Sequence, residues 1–150
     1  SRDGGAARQL RVEVALTSPL TRAARTCLLA LPPSSSQPAC RYEVVPLLAE
    51  HLEASCDVGR PAAELAAAFP ALDFSGLPEV WWYVPEEHAA EPTPAESRRL
   101  FREEGRREPP GVFRARVDAF ATLLAGRPEQ TIAAFGHADF FHEFLDPRFE

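Results

Sequence analysis

The chain has 150 residues, enough for one domain and hardly for two. With 45% hydrophobic and 25% charged residues it can bury a core, which excludes a disordered acidic tail. A net charge of -6 leaves little for the basic face of a general nucleic-acid binder, and no apolar run approaches the roughly 18 residues a membrane span needs.

Arg11 to Thr17 alternates, with Val12, Val14 and Leu16 on one side, and reads as a strand. Ser18-Pro19 follows. Ser is a good N-cap and Pro is favoured in the first helical turn, so a helix is expected to start at once and run to about Leu31, where Pro32-Pro33 stops it. Pro32 to Pro38 is a loop. Arg41 to Leu48 reads as a second strand that ends near Pro46. Glu50 to Arg60 is irregular, with a turn at Asp57-Val58-Gly59. Pro61 to Phe69 is a short Ala/Leu-rich helix. Pro70 to Pro94, with the pair Trp81-Trp82, has little periodicity and reads as a long inserted loop. Ala95 to Glu104 is a charged, exposed helix. Phe113, Val117, Phe120, Ala121 and Leu124 form one face of an amphipathic helix that ends at Gly126. Thr131 to Phe135 is a short buried strand, and a last helix runs from about Ala138 to Leu145. This alternation predicts an α/β fold: a mostly parallel sheet with helices on both faces, in one domain.

Ligands of open α/β sheets bind beyond the carboxyl ends of the strands. The residues just past the three predicted strands are Ser18 to Arg22, Glu50-His51 and Gly136-His137. An arginine, a carboxylate and a histidine converging there suit a phosphate and a proton transfer, and the helix after Ser18 adds backbone N–H groups.

The same residues carry a family resemblance. Thr17-Ser18-Pro19-Leu20-Thr21-Arg22-Ala23 resembles the S-P-L-x-R-A motif of the histidine phosphatase superfamily, the phosphoglycerate mutase-like proteins. Glu50, in Pro46-Leu47-Leu48-Ala49-Glu50, is similar to that family's acid in L-x-E. The strand Thr131 to Phe135 with Gly136-His137 resembles its last motif. Asp57 to Pro61 and Phe69 to Trp82 resemble a branch of uncharacterised members. The motifs come in family order and cover about residues 10 to 145. The resemblance implies a three-layer sandwich with a variable insertion at about 61–107. It implies a phosphomonoester hydrolase or phosphoryl transferase acting through phosphohistidine. Arg22 would bind phosphate, His137 would be the second histidine that surrounds the phosphoryl oxygens, and Glu50 would be the proton donor.

The departure is the nucleophile. That family's first strand ends in R-H-G, which occurs nowhere in this sequence. His51, His88, His137 and His142 all lack that context, so the fold is expected to lack its first strand. A sequence that opens Ser1-Arg2-Asp3 and contains no Met carries the expectation of coding sequence upstream, where R-H-G would lie. The alternative is a catalytically inactive module of the same fold that binds a phosphorylated ligand or a protein.

Other features read more plainly. All 16 basic residues are Arg, which reflects coding bias. Cys27, Cys40 and Cys56 are odd in number and have no C-x-x-C, which points to a reducing, cytoplasmic compartment. Arg98, Arg99, Arg102, Arg106 and Arg107 are interleaved with Glu and read as a solvated face. His137 and His142 miss the i, i+4 spacing of helical metal ligands, so no metal is expected. The expected partner is a small phosphorylated substrate, with no cofactor, no nucleic acid and no membrane.

Overall fold

The computed structural model describes residues 11–33 and 40–146. Among them are three strands, β1 (Val14–Thr17), β2 (Arg41–Val44) and β3 (Ile132–Phe135). Five α-helices accompany them: α1 (Thr21–Ala30), α2 (Ala62–Ala68), α3 (Pro94–Arg102), α4 (Pro110–Ala125) and α5 (Ala138–Leu145). The sheet is small and parallel, in the order β2-β1-β3. Residues 34–39 of the predicted loop lie outside the described residues.

Alternation along β1 explains the layering. Val14 and Leu16 are in register with Ile132 and Ala134, and all four belong to a cluster with Phe113, Val117 and Phe120 of α4 and Phe140 of α5. Ala15 and Thr17 are in register with Tyr42 and Val44 of β2, which point to the opposite face. There Tyr42 and Val44 meet Leu20, Ala24 of α1, Leu65 of α2, and the run Phe69, Leu72, Phe74, Val80, Trp81 and Trp82. β1 is therefore covered on both sides, and Val14, Ala15 and Leu16 are fully buried.

Several expectations are corrected. α1 begins at Thr21, not at Ser18-Pro19. Ser18 N–H still donates to Phe135 O at 2.9 Å, so residue 18 prolongs the sheet ladder, and Leu20 is extended (φ -61°, ψ 132°). β3 is a half-buried edge strand, not a buried one. α3 is amphipathic rather than simply exposed, because Leu100 and Phe101 turn inward. Thr93 caps it, its hydroxyl accepting from Glu96 N–H at 3.2 Å. The segment between α2 and α3 contains neither α-helix nor strand, as expected of a loop, yet Trp81 and Trp82 are buried. Their indole N–H groups reach Arg60 O at 2.8 Å and Ser97 Oγ at 3.2 Å. A Cβ on Gly59 would lie 2.1 Å from the Trp82 ring, so only glycine lets the chain pass this close.

Candidate functional site

Because β1 and β3 are parallel and Thr17 is level with Phe135, the chain leaves both strands at the same edge. Ser18 and His137 meet there. A cavity of about 500 Å³ opens beside them, and Arg22, Thr26, Glu50, Gly136, His137 and Phe141 are among its lining residues. The three residues singled out by sequence, Arg22, Glu50 and His137, thus line one cavity although they come from three strand ends.

His137 is 7% exposed and its Nε2 shares a hydrogen bond of 2.9 Å with Ser18 Oγ. Ser18 Oγ also accepts from Leu20 N–H at 3.2 Å, which fixes the hydroxyl. Burial disfavours the imidazolium and the nearby Arg22 charge adds to this, against the opposing pull of Asp57; the pKa is pushed down to about 4. At neutral pH the ring is uncharged, with one N–H to donate and one nitrogen to accept.

Arg22 projects from the first turn of α1. Nη1 donates to Cys56 O and Nη2 to Asp57 Oδ1, each at 2.8 Å. Only two of the roughly five guanidinium donors are used in this way, and the side chain is 43% exposed. Asp57 is buried, and its Oδ2 accepts from Ala54 N–H at 2.9 Å. It aims the guanidinium and offsets part of its charge. Sequence reading assigned Asp57 no role; the signal was its place in a turn next to Gly59, which packs against the tryptophans.

Glu50 lies at the start of α5. Its Oε1 accepts from Phe140 N–H at 3.1 Å and His51 N–H at 3.0 Å, and its Oε2 from Asp139 N–H at 3.3 Å. The carboxylate thus satisfies first-turn donors of α5, where a negative charge is favourable. The backbone that carries it is held by Arg116, which sequence reading missed. Arg116 Nη1 donates to Leu47 O (2.9 Å) and to Ala49 O, Nη2 donates to Glu50 O (3.1 Å), and the same side chain pairs with buried Glu108 at 2.7 Å. A guanidinium suits this task because its fork supplies several fixed donors.

The other histidines are placed elsewhere. His51 stacks on Phe113 with ring centroids 4.3 Å apart, and its Nε2 lies 2.8 Å from Glu108 O. His88 and His142 face Glu96 and Asp146 at 3.7 and 3.9 Å. Among the described residues no group of three His, Cys, Asp or Glu side chains is arranged to hold a metal, and no helix is long and apolar enough to cross a membrane. Compared with protein-family models, curated proteins and solved structures, the chain matches none.

Proposed function

We propose that this cavity is the phosphoryl-binding part of a histidine-phosphatase-type site, and that the protein acts on phosphomonoesters. The observation that supports this most is the convergence of Arg22, Glu50 and His137 on one cavity at the carboxyl ends of parallel strands. Arg22 supplies fixed positive charge and neutral His137 a hydrogen bond, both suited to phosphoryl oxygens. Glu50 gives its proton to the leaving alkoxide, and the N–H groups of Asp139 and Phe140 would stabilise the carboxylate this leaves. The attacking imidazole, from an R-H-G segment that this sequence does not contain, bonds to phosphorus as the ester P–O bond breaks. Water then releases phosphate from the phosphohistidine.

A second reading is a module of the same fold that binds a phosphorylated ligand without turnover. It is favoured by the cavity lining, in which His137 is the one histidine among the described residues, while His51 is engaged by Phe113 and Glu108.

The test uses the chain and the product of its complete reading frame, whether or not that frame extends beyond this sequence. Inorganic phosphate is expected to shift the amide resonances of Arg22, Gly136 and His137 in the chain, which should not hydrolyse an aryl phosphate above background. The protein from the complete frame should hydrolyse it and retain label as acid-labile phosphohistidine, and Arg22→Ala or His137→Ala should lower the rate at least ~10²-fold. Unchanged turnover in both variants rejects the site. Phosphate binding without turnover in the protein from the complete frame selects the second reading.

A further inference from the structure

The arginines of α3 and the turn after it divide into two sets. Arg99 lies between Glu96 and Glu104 at 2.8 and 2.7 Å, Arg106 pairs with Glu87, and Arg107 sits over the Phe101 ring and donates to the Phe101 carbonyl. Arg98 and Arg102 make no ion pair among the described residues. They line a second cavity of about 160 Å³ together with Arg60, Ser55, Gly59 and Phe101, and no carboxylate is among its lining residues. Arg60 is shared: Nε faces exposed Glu64 at 3.2 Å and Nη1 donates to Thr21 Oγ1 at 3.3 Å.

Three arginines line one small cavity, of which Arg60 has Glu64 as a partner, and Arg98 and Arg102 are like charges at i, i+4 on one helix, an arrangement that destabilises the helix unless an anion offsets it. The chain as a whole is acidic, at -6, so this local excess of positive charge is not a consequence of composition. We propose that this cavity binds an oxyanion of the phosphate type through Arg60, Arg98, Arg102 and the Ser55 hydroxyl. Its volume is below the ~300–1,000 Å³ of pockets that enclose whole ligands, so it takes one anionic group. The turn at residues 55–60 serves both cavities: Cys56 and Asp57 hold Arg22, while Ser55, Gly59 and Arg60 line the second site. The group is therefore either free inorganic phosphate or the second phosphate of a bisphosphorylated substrate; only the latter rests on the function proposed above.

Residue-resolved NMR of the labelled chain tests this, with inorganic phosphate and then a short alkanediol bisphosphate as probes. Saturable shifts are expected at Ser55, Gly59, Arg60, Arg98 and Arg102. The double variant Arg98→Gln/Arg102→Gln should weaken them at least ~10-fold, as expected when charge-assisted hydrogen bonds are lost. With inorganic phosphate as the probe the shifts at Gly136 and His137 should persist in that variant, and its amide dispersion reports that it folds. If the bisphosphate saturates both loci together, and either this variant or Arg22→Gln weakens both, the anion is the second phosphate of one ligand. If the loci saturate independently, it is free phosphate. No saturable shift at the second locus with either probe, or undiminished shifts there in the double variant, overturns the proposal. The two loci are read in the same spectra, so loss of this site is distinguishable from loss of the first.

Discussion

On the face of the sheet that carries α4 and α5, the core comes from Phe113, Val117 and Phe120 at helical spacing and from Phe140. On the face that carries α1, it comes largely from Phe69, Leu72, Phe74, Val80, Trp81 and Trp82, where the chain has no α-helix or strand between Ala68 and Pro94. Each face supports a different part of the site. The periodic face sets α5, whose first turn meets Glu50 just after His137, and α4 adds Arg116, which grips the Glu50 backbone. The aperiodic face seats Gly59 and Arg60 against the tryptophans, and so places Asp57 where it holds Arg22. Regular secondary structure is thus not the measure of how well a segment is fixed: two buried indoles with their N–H groups satisfied do for one face what a 16-residue helix does for the other.

The largest test of this equivalence is truncation of one anchor on each face. Phe120 is fully buried and Trp82 is 6% exposed. Phe120→Ala and Trp82→Ala are each expected to lower stability by ~3–5 kcal/mol in urea unfolding. The phosphate affinity of the folded fraction should separate them. Trp82→Ala frees the turn that carries Asp57 and should weaken binding on the Arg22 side of the cavity, whereas Phe120 packs on Phe140 of α5, so its loss should disturb the Glu50 and His137 side and leave the Arg22 shifts in place. A Trp82→Ala protein as stable as the parent would show that the aperiodic face is not a core.

The same contrast explains what was legible in the sequence. Phe113, Val117 and Phe120 announce a helix by spacing alone, and Ile132 to Phe135 a strand, so the order of elements could be read. The start of α1 could not, because Ser18 and Pro19 satisfy helix-start rules locally while Ser18 N–H is claimed by the neighbouring strand at Phe135. Arg22, Glu50 and His137 could be picked out because strand ends and short motifs mark them. Asp57, Arg116 and Glu108 could not, since their roles depend on partners between 8 and 69 residues away in sequence. The charged run of α3 shows the limit of pattern most clearly: Arg98 and Arg99 are adjacent, yet one faces a cavity and the other two glutamates.

His137, bonded to Ser18 where β1 ends, gives the next effect in size. Its folded pKa is about 4 against an ordinary 6.5, chiefly because it is buried. Between those values the unfolded chain binds the extra proton, so stability falls as pH drops from 6.5 towards 4, by on the order of 3 kcal/mol once both values are passed. Glu129 is held down at about 2 by Arg127, and its contribution is present above its ordinary 4.5 and lost as pH falls through that range. Urea midpoints between pH 7.5 and 5.5 therefore report the histidine, because Glu43, Glu96 and Glu129, all held below 4.5, begin to lose their contributions at about pH 5. His137→Gln should flatten that part of the profile; an equally steep decline in the variant would place the titrating group elsewhere.

The smallest change aimed at the comparison adds one methyl group. At Gly59 an alanine Cβ would lie 2.1 Å from one Trp82 ring atom and 2.7 Å from another, with Trp81 also at 2.7 Å, so a ring or the turn must move. Overpacking of this kind costs about 1–3 kcal/mol. Gly76 is the control, because nothing lies within 4 Å of its Cβ position; Gly76→Ala should be neutral or stabilising by up to ~1 kcal/mol. Gly59→Ala should also shift tryptophan emission to longer wavelength and weaken phosphate binding, since the displaced turn carries Asp57. If Gly59→Ala and Gly76→Ala behave alike in stability, emission and binding, the indoles do not bear on the turn, and the aperiodic face covers the sheet without positioning Arg22.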